Sequence, residues 1–152
     1  MKEHEPFIRQ CIDLAISAAK KGNHPFGALL VHDGEVIMTA ENTVKTDDDT
    51  TRHAELNLVV KSERAFPEEV LRESTLYTST APCLLCTAAI WSAGITRIVY
   101  CVSYETFATF ASDRYRYIPF SEVYERLGTA AEAVGPVLEE EGLQVYQYWP
   151  KS

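Results

Sequence analysis

Several absences narrow this chain before any motif is read. It has no run near the roughly 18 apolar residues of a membrane-spanning helix, so no membrane partner is expected. Its first residues, MKEHEPFIRQCIDLAISAAKKG, are acidic near the terminus, and Asp13 interrupts the apolar stretch, which is not the pattern of a secretory leader. Basic residues are scarce and unclustered: 14 face 22 acidic ones, for a formal net charge of −8. A protein that grips nucleic acid must neutralise phosphates with Lys and Arg, so a nucleic-acid partner is not what this composition describes. Repeats, low-complexity tracts and linker-like stretches are missing too. The expectation is one soluble, cytoplasmic domain spanning residues 1–152.

Cysteine is limited to Cys11, Cys83, Cys86 and Cys101. In a reducing compartment a cysteine pair signals metal binding or catalysis more often than a disulfide. Composition is otherwise ordinary, 46% hydrophobic and 24% charged. A chain of this length buries about two-thirds of its unfolded surface. Folding alone therefore demands no metal.

Periodicity supplies the elements. Phe7, Ile8, Cys11, Leu14, Ala15 and Ala18 recur at helical spacing, which predicts a helix over 5–21 ended by Gly22-Asn23. FGALLVHDGEVIMTA reads as a hairpin around Asp33-Gly34, a dipeptide suited to positive φ. ENTVKTDDDTTR is a polar loop. A second helix is expected from about His53 to Ala65, broken by Pro67. STLYTST is a strand. PCLLCTAAIWSAG is a helix, with Pro82 in its first turn and Gly94 at its end. ITRIVYCV is a strand buried on both faces. Residues 103–129 suggest two short helices around Pro119, EAVGPV a last strand, and LEEEGLQVYQYW a last helix weakened by Gly142. Alternating helices and strands place the chain in the α/β class, a central sheet with helices packed on its faces.

The chemistry concentrates in His53, Glu55, Cys83 and Cys86. Cys-x-x-Cys at a helix start sets two sulfurs on one side, where the helix N-terminus favours thiolates. His53 opens its own helix. Two thiolates and an imidazole suit Zn²⁺, and three protein ligands leave a fourth position for water, as in a catalytic site. A closed structural site would need another ligand. Cys11 and Cys101 sit in apolar patterns that read as core, while His24 and His32 near the hairpin stay open as candidates. Glu55 is too close to His53 to ligate the same ion comfortably. It is well placed to move protons to and from the ion's water.

The pattern His53-Ala54-Glu55 followed by Pro82-Cys83-Leu84-Leu85-Cys86 is the H-x-E…P-C-x-x-C signature of zinc base deaminases. On it, the chain resembles the cytidine deaminase-like superfamily. HPFGALLV is similar to the opening of bacterial guanine deaminases. STLYTSTAPCLLCTAAI is similar to fungal cytosine deaminase and to guanine deaminase. VGPVLEEEG is similar to tRNA adenosine deaminases and fungal cytosine deaminase. The resemblance implies a three-layer αβα fold with a mixed five-stranded sheet, and a homodimer.

Carried onto this chain, the resemblance makes His53, Cys83 and Cys86 the zinc ligands and Glu55 the proton shuttle. It makes Asn42, Phe26 and the backbone N–H of Ala54 substrate contacts. Asp113, Tyr115, Tyr117 and Trp149 are candidates for the outer wall of the pocket, Asp113 and Trp149 foremost. Bland readings stand beside these: Asn42 as a turn or cap residue, Phe26 as core, His24 as a loop histidine in solvent. Ala81 and Trp91-Ser92 depart from the pattern of many relatives, which bears on substrate rather than chemistry.

The expected activity is hydrolytic deamination of a free nucleobase or small aminated heterocycle, guanine first and cytosine next. A tRNA adenosine deaminase is the alternative, with a non-catalytic zinc-binding subunit as a third reading.

Overall fold

The computed structural model describes residues 2–111 and 118–151. The candidates Asp113, Tyr115 and Tyr117 lie outside the described residues.

Helix α1 (Glu5–Lys20) is preceded by a short 3-10 turn, Lys2–His4, and buries Ile8, Cys11, Ile12, Ala15, Ala18 and Ala19. Its apolar stripe lies on strand β1 (Gly27–His32). A β-carbon on Gly27 would come within 2.7 Å of Ala15 N and Cys11 O, so only glycine lets the helix backbone approach this closely. Strand β2 (Glu35–Glu41) returns through the turn at Asp33 and Gly34, which have φ of 51° and 78°. Two consecutive positive φ values make this a hairpin turn of the type that matches strand twist.

Helix α2 (Ala54–Ala65) packs on the hairpin, and the short α3 (Glu68–Arg72) follows Pro67. Strand β3 (Thr75–Thr80) leads into α4 (Leu84–Ser92), and β4 (Arg97–Val102) completes the crossover. Helices α5 (Tyr104–Ala108) and α6 (Phe120–Arg126) flank Pro119 as the sequence suggests. Strand β5 is only Glu132–Val134. The expected last helix is in two pieces, α7 (Glu139–Leu143) and a 3-10 stretch, Gln144–Tyr148.

The sheet order is β2-β1-β3-β4-β5. Strand β1 runs antiparallel to both β2 and β3, while β3, β4 and β5 run parallel. Contacts group α1 with the C-terminal segment and α2 with α4 and α6, giving a mixed five-stranded sheet between two helical layers. Among the described residues, no helix is long and apolar enough to cross a membrane.

Register sets the site. Gly27 pairs with Glu41, and Ala28 with Thr78. One step past the first pair and two past the second bring Phe26, Asn42 and Thr80 to the same end of the sheet. The starts of α2 and α4 lie at that end as well. Pro82 is not in the first turn of α4: Cys83 is the N-cap, and Pro82 precedes it. The ring fixes the extended entry rather than the helix.

Candidate active site

His53 and Cys83 are the N-caps of α2 and α4, both in extended backbone, and Cys86 is one turn into α4. The two helices pack side by side. His53 Nδ1 consequently lies 3.4 Å from the Sγ of Cys83 and 3.4 Å from that of Cys86. All three donor atoms fall within 4.8 Å of one another. A tetrahedral zinc with bonds of about 2.0 Å to nitrogen and about 2.3 Å to sulfur needs donors roughly 3.5 Å apart. Spacing and donor chemistry both fit that ion.

The electrostatics of the triad are those of groups sharing protons. The Cys83 thiol is pulled down, first by its hydrogen bond with Cys86 and then by that with His53. Cys86 is pushed up, because its proton is held in the bond to Cys83 and the group is buried. His53 is raised, chiefly by its bond to Cys83. Loading a metal displaces the protons that remain.

Glu55, in the first turn of α2, is not a surface carboxylate: it is only 6% exposed. Burial pushes it up to about 7, with the neighbouring Cys83 adding to the effect, while the His53 charge and a hydrogen bond from Thr78 oppose it. A buried carboxyl whose pKa is raised this way is suited both to accept and to donate a proton.

A cavity of about 360 Å³ opens over these residues, lined by His24, Phe26, Asn42, Val44, Thr50, His53, Glu55, Thr80, Ala81, Cys83, Tyr104 and Phe107. Asn42 combines two roles. Its Oδ1 accepts from Val44 N at 3.0 Å, a turn bond, while its buried Nδ2 has no hydrogen-bond partner among the described residues. A buried donor left unpaired costs about 1–3 kcal/mol, which a ligand acceptor would recover.

The loop between Asn42 and His53 is held by two amides the sequence reading passed over. Buried Asn23 accepts from the backbone N–H groups of Lys45 and Thr46, each at 3.0 Å. Asn57 Nδ2 donates to Glu41 O and Thr43 Oγ1, each at 2.9 Å.

His24 is not in solvent. It is half-buried, lines the cavity, and stacks on Trp149 with centroids 4.9 Å apart. Trp149 itself is absent from the lining. It backs the wall, edge-on to Phe26 at 5.5 Å and stacked on Phe107 at 6.4 Å. Phe26 is thus both wall and core. Ala54 is fully buried and outside the lining, but as the first residue of α2 its N–H has no acceptor within the helix. Cys11 and Cys101 are buried core, as expected. Thr80, Tyr104 and Phe107 went unread: nothing in a one-dimensional pattern separates a wall aromatic from a core one.

Residues 1–102 match the family model described as the cytidine and deoxycytidylate deaminase zinc-binding region. A probable cytosine deaminase from Schizosaccharomyces pombe is 35% identical over 145 residues, covering 90% of this chain and 86% of the relative. A guanine deaminase from Bacillus subtilis is 36% identical over 98 residues, covering 64% of this chain and 63% of the relative. A structure from work on tRNA:A34 deaminases superposes with a TM-score of 0.70 at 26% identity, over 93% of this chain and 99% of that one.

Proposed function

Because this chain belongs to the cytidine and deoxycytidylate deaminase zinc-binding family, we propose that it is a zinc-loaded hydrolytic deaminase of a free nucleobase or similar small heterocycle. The observation that carries the reading is the buried Glu55 carboxyl beside the His53/Cys83/Cys86 donors, at a cavity whose lining, among the described residues, contains no Lys or Arg. Such a wall recognises a neutral ring rather than a phosphate-bearing one.

Zinc, when bound, supplies a Lewis acid that brings the pKa of its water to about 7. The chain supplies the rest. Glu55 takes a proton from the attacking water and delivers it to the ring nitrogen beside the amine-bearing carbon. The water oxygen adds to that carbon. Glu55 then carries the second proton to the exocyclic nitrogen, the C–N bond breaks, and ammonia leaves. Asn42 Nδ2 holds a ring carbonyl or ring nitrogen. Phe26 and Phe107 confine the ring and exclude water.

Guanine is supported by the Pro25-Phe26-Gly27 wall and Asn42. Cytosine is supported by similarity running over 90% of the chain rather than 64%. The longer match moves cytosine ahead of guanine, the reverse of the order taken from motifs alone. An ammonia-release screen of the zinc-loaded protein tests the reading, with cytosine, guanine, adenine, their nucleosides, isocytosine, pterins and aminotriazines. Silence across that panel would overturn it.

A tRNA adenosine deaminase is the second reading, supported by the superposition on tRNA:A34 deaminases. The −8 charge opposes it. Tight, salt-sensitive tRNA binding at low ionic strength would favour it. The retained Glu55 argues against a non-catalytic subunit. A homodimer belongs to the same proposal. Helix α4 carries no charged residue and leaves Leu84, Leu85 and Trp91 exposed, a face suited to a second copy. Sedimentation at micromolar concentration with and without Trp91→Glu tests it: wild-type dimer and variant monomer are expected.

A further inference from the structure

We propose that Thr80, set by Tyr146, is a specificity-determining residue that reads the ring edge of the bound heterocycle. The proposal rests on the reading that this cavity takes a neutral base, and it adds the part of the ring that is recognised.

Thr80 ends β3, three residues before the first cysteine of the triad. It is 4% exposed and lines the cavity, beside Ala81 and across the sheet register from Phe26. A hydroxyl in such a wall is costly unless bonded. Its oxygen lies 2.5 Å from the Tyr146 hydroxyl, which the C-terminal 3-10 stretch brings back across the sheet end. A threonine hydroxyl has one donor and two lone pairs. The bond to Tyr146 leaves it either a donor or an acceptor for the cavity. Either oxygen of the pair can donate, so the pair can present whichever the ligand needs.

Asn42 Nδ2 on the same cavity is a fixed donor, unpaired among the described residues. A fixed donor together with an adjustable hydroxyl matches a lactam edge: a carbonyl oxygen next to a ring N–H. The carbonyl takes the Asn42 proton. The ring N–H donates to Thr80 Oγ1, whose own proton turns to Tyr146. A ring methylated on that nitrogen leaves Thr80 without its partner. Free bases with an unsubstituted lactam nitrogen are therefore the preferred class.

The test compares cytosine with 1-methylcytosine and guanine with 1-methylguanine. Dissociation constants are read from tryptophan fluorescence of the zinc-loaded protein, since Trp149 backs the cavity wall. Thr80→Val keeps shape and removes the hydroxyl. It is expected to weaken binding of the unmethylated base about tenfold and leave the methylated base unchanged, so the preference between them collapses. Thr80→Ser restores it. Tyr146→Phe costs about threefold, and adding it to Thr80→Val costs nothing more.

Equal weakening of both rings by Thr80→Val, or no weakening, would overturn the proposal. So would independent, additive effects of the two substitutions. A wild type that binds none of the four rings overturns it together with the proposed function. A wild type that shows the Thr80-dependent preference but releases no ammonia overturns the proposed function alone.

Discussion

The rings of His24 and Trp149 stack 4.9 Å apart and 26° from parallel, joining the segment ahead of β1 to the C-terminal residues. His24 faces the cavity and Trp149 supports it from behind. Trp149→Ala is expected to raise KM five- to tenfold with kcat changed less than twofold. Removing a partly buried indole should also cost about 2 kcal/mol of stability. Steady-state kinetics and urea unfolding check the two effects separately.

Glu55→Gln keeps the shape of the side chain and removes its proton traffic. Turnover should fall at least about a thousandfold, within the range of general acid–base catalysis. Zinc content by elemental analysis should stay at the wild-type ratio. Full turnover with zinc retained would rule out Glu55 as the proton carrier.

Close approach of elements gives a contrasting pair. A β-carbon at Gly27 would meet the backbone of α1. Gly27→Ala should cost about 2–3 kcal/mol, and no side-chain truncation should restore it fully. A β-carbon at Gly142 would sit 2.2 Å from Cys101 Sγ. Gly142→Ala should also destabilise, but Cys101→Ala in the same chain should recover part of the loss. Denaturant midpoints of the two singles and the double decide this.

Burial raises the thiol of Cys11, takes Cys101 and Tyr77 up to about 12, and lifts Tyr124 and Tyr146 further. Below the unfolded-state values, about 8.5 for Cys and about 10 for Tyr, both states hold these protons and nothing is lost. Above them the unfolded chain releases protons that the folded chain retains. Stability therefore falls as pH rises. The melting temperature should be level between pH 7 and 8 and drop steadily from pH 9 to 11. Circular dichroism melts across that range check it.

The candidate donors and the carboxyl beside them were legible because their spacing is local and their donor types are few. His53, Glu55, Cys83 and Cys86 each follow from position at a helix start, and the structure brings them together. The wall was less legible. Thr80, Phe107 and His24 reach the cavity through strand register and packing of distant segments, which no window of sequence contains. His24 in particular reads as a solvent loop residue until Trp149 is placed beside it. Five-residue elements were also hard to read. Helix α3 after Pro67 was missed, and the segment after Leu138 is split between α7 and a 3-10 stretch.

The split between metal donors and wall has a consequence for the order in which the molecule is assembled. Synthesis runs from N- to C-terminus, so the triad, complete at Cys86, leaves the ribosome well before Tyr146 and Trp149. Three strands and the two ligand-bearing helices can already pair at that stage. On the proposed function, the nascent chain can thus take up zinc while the pocket is still open on one side. On the proposed roles, the donors are installed first and selectivity is added last, by the segment that brings the Tyr146 hydroxyl to Thr80.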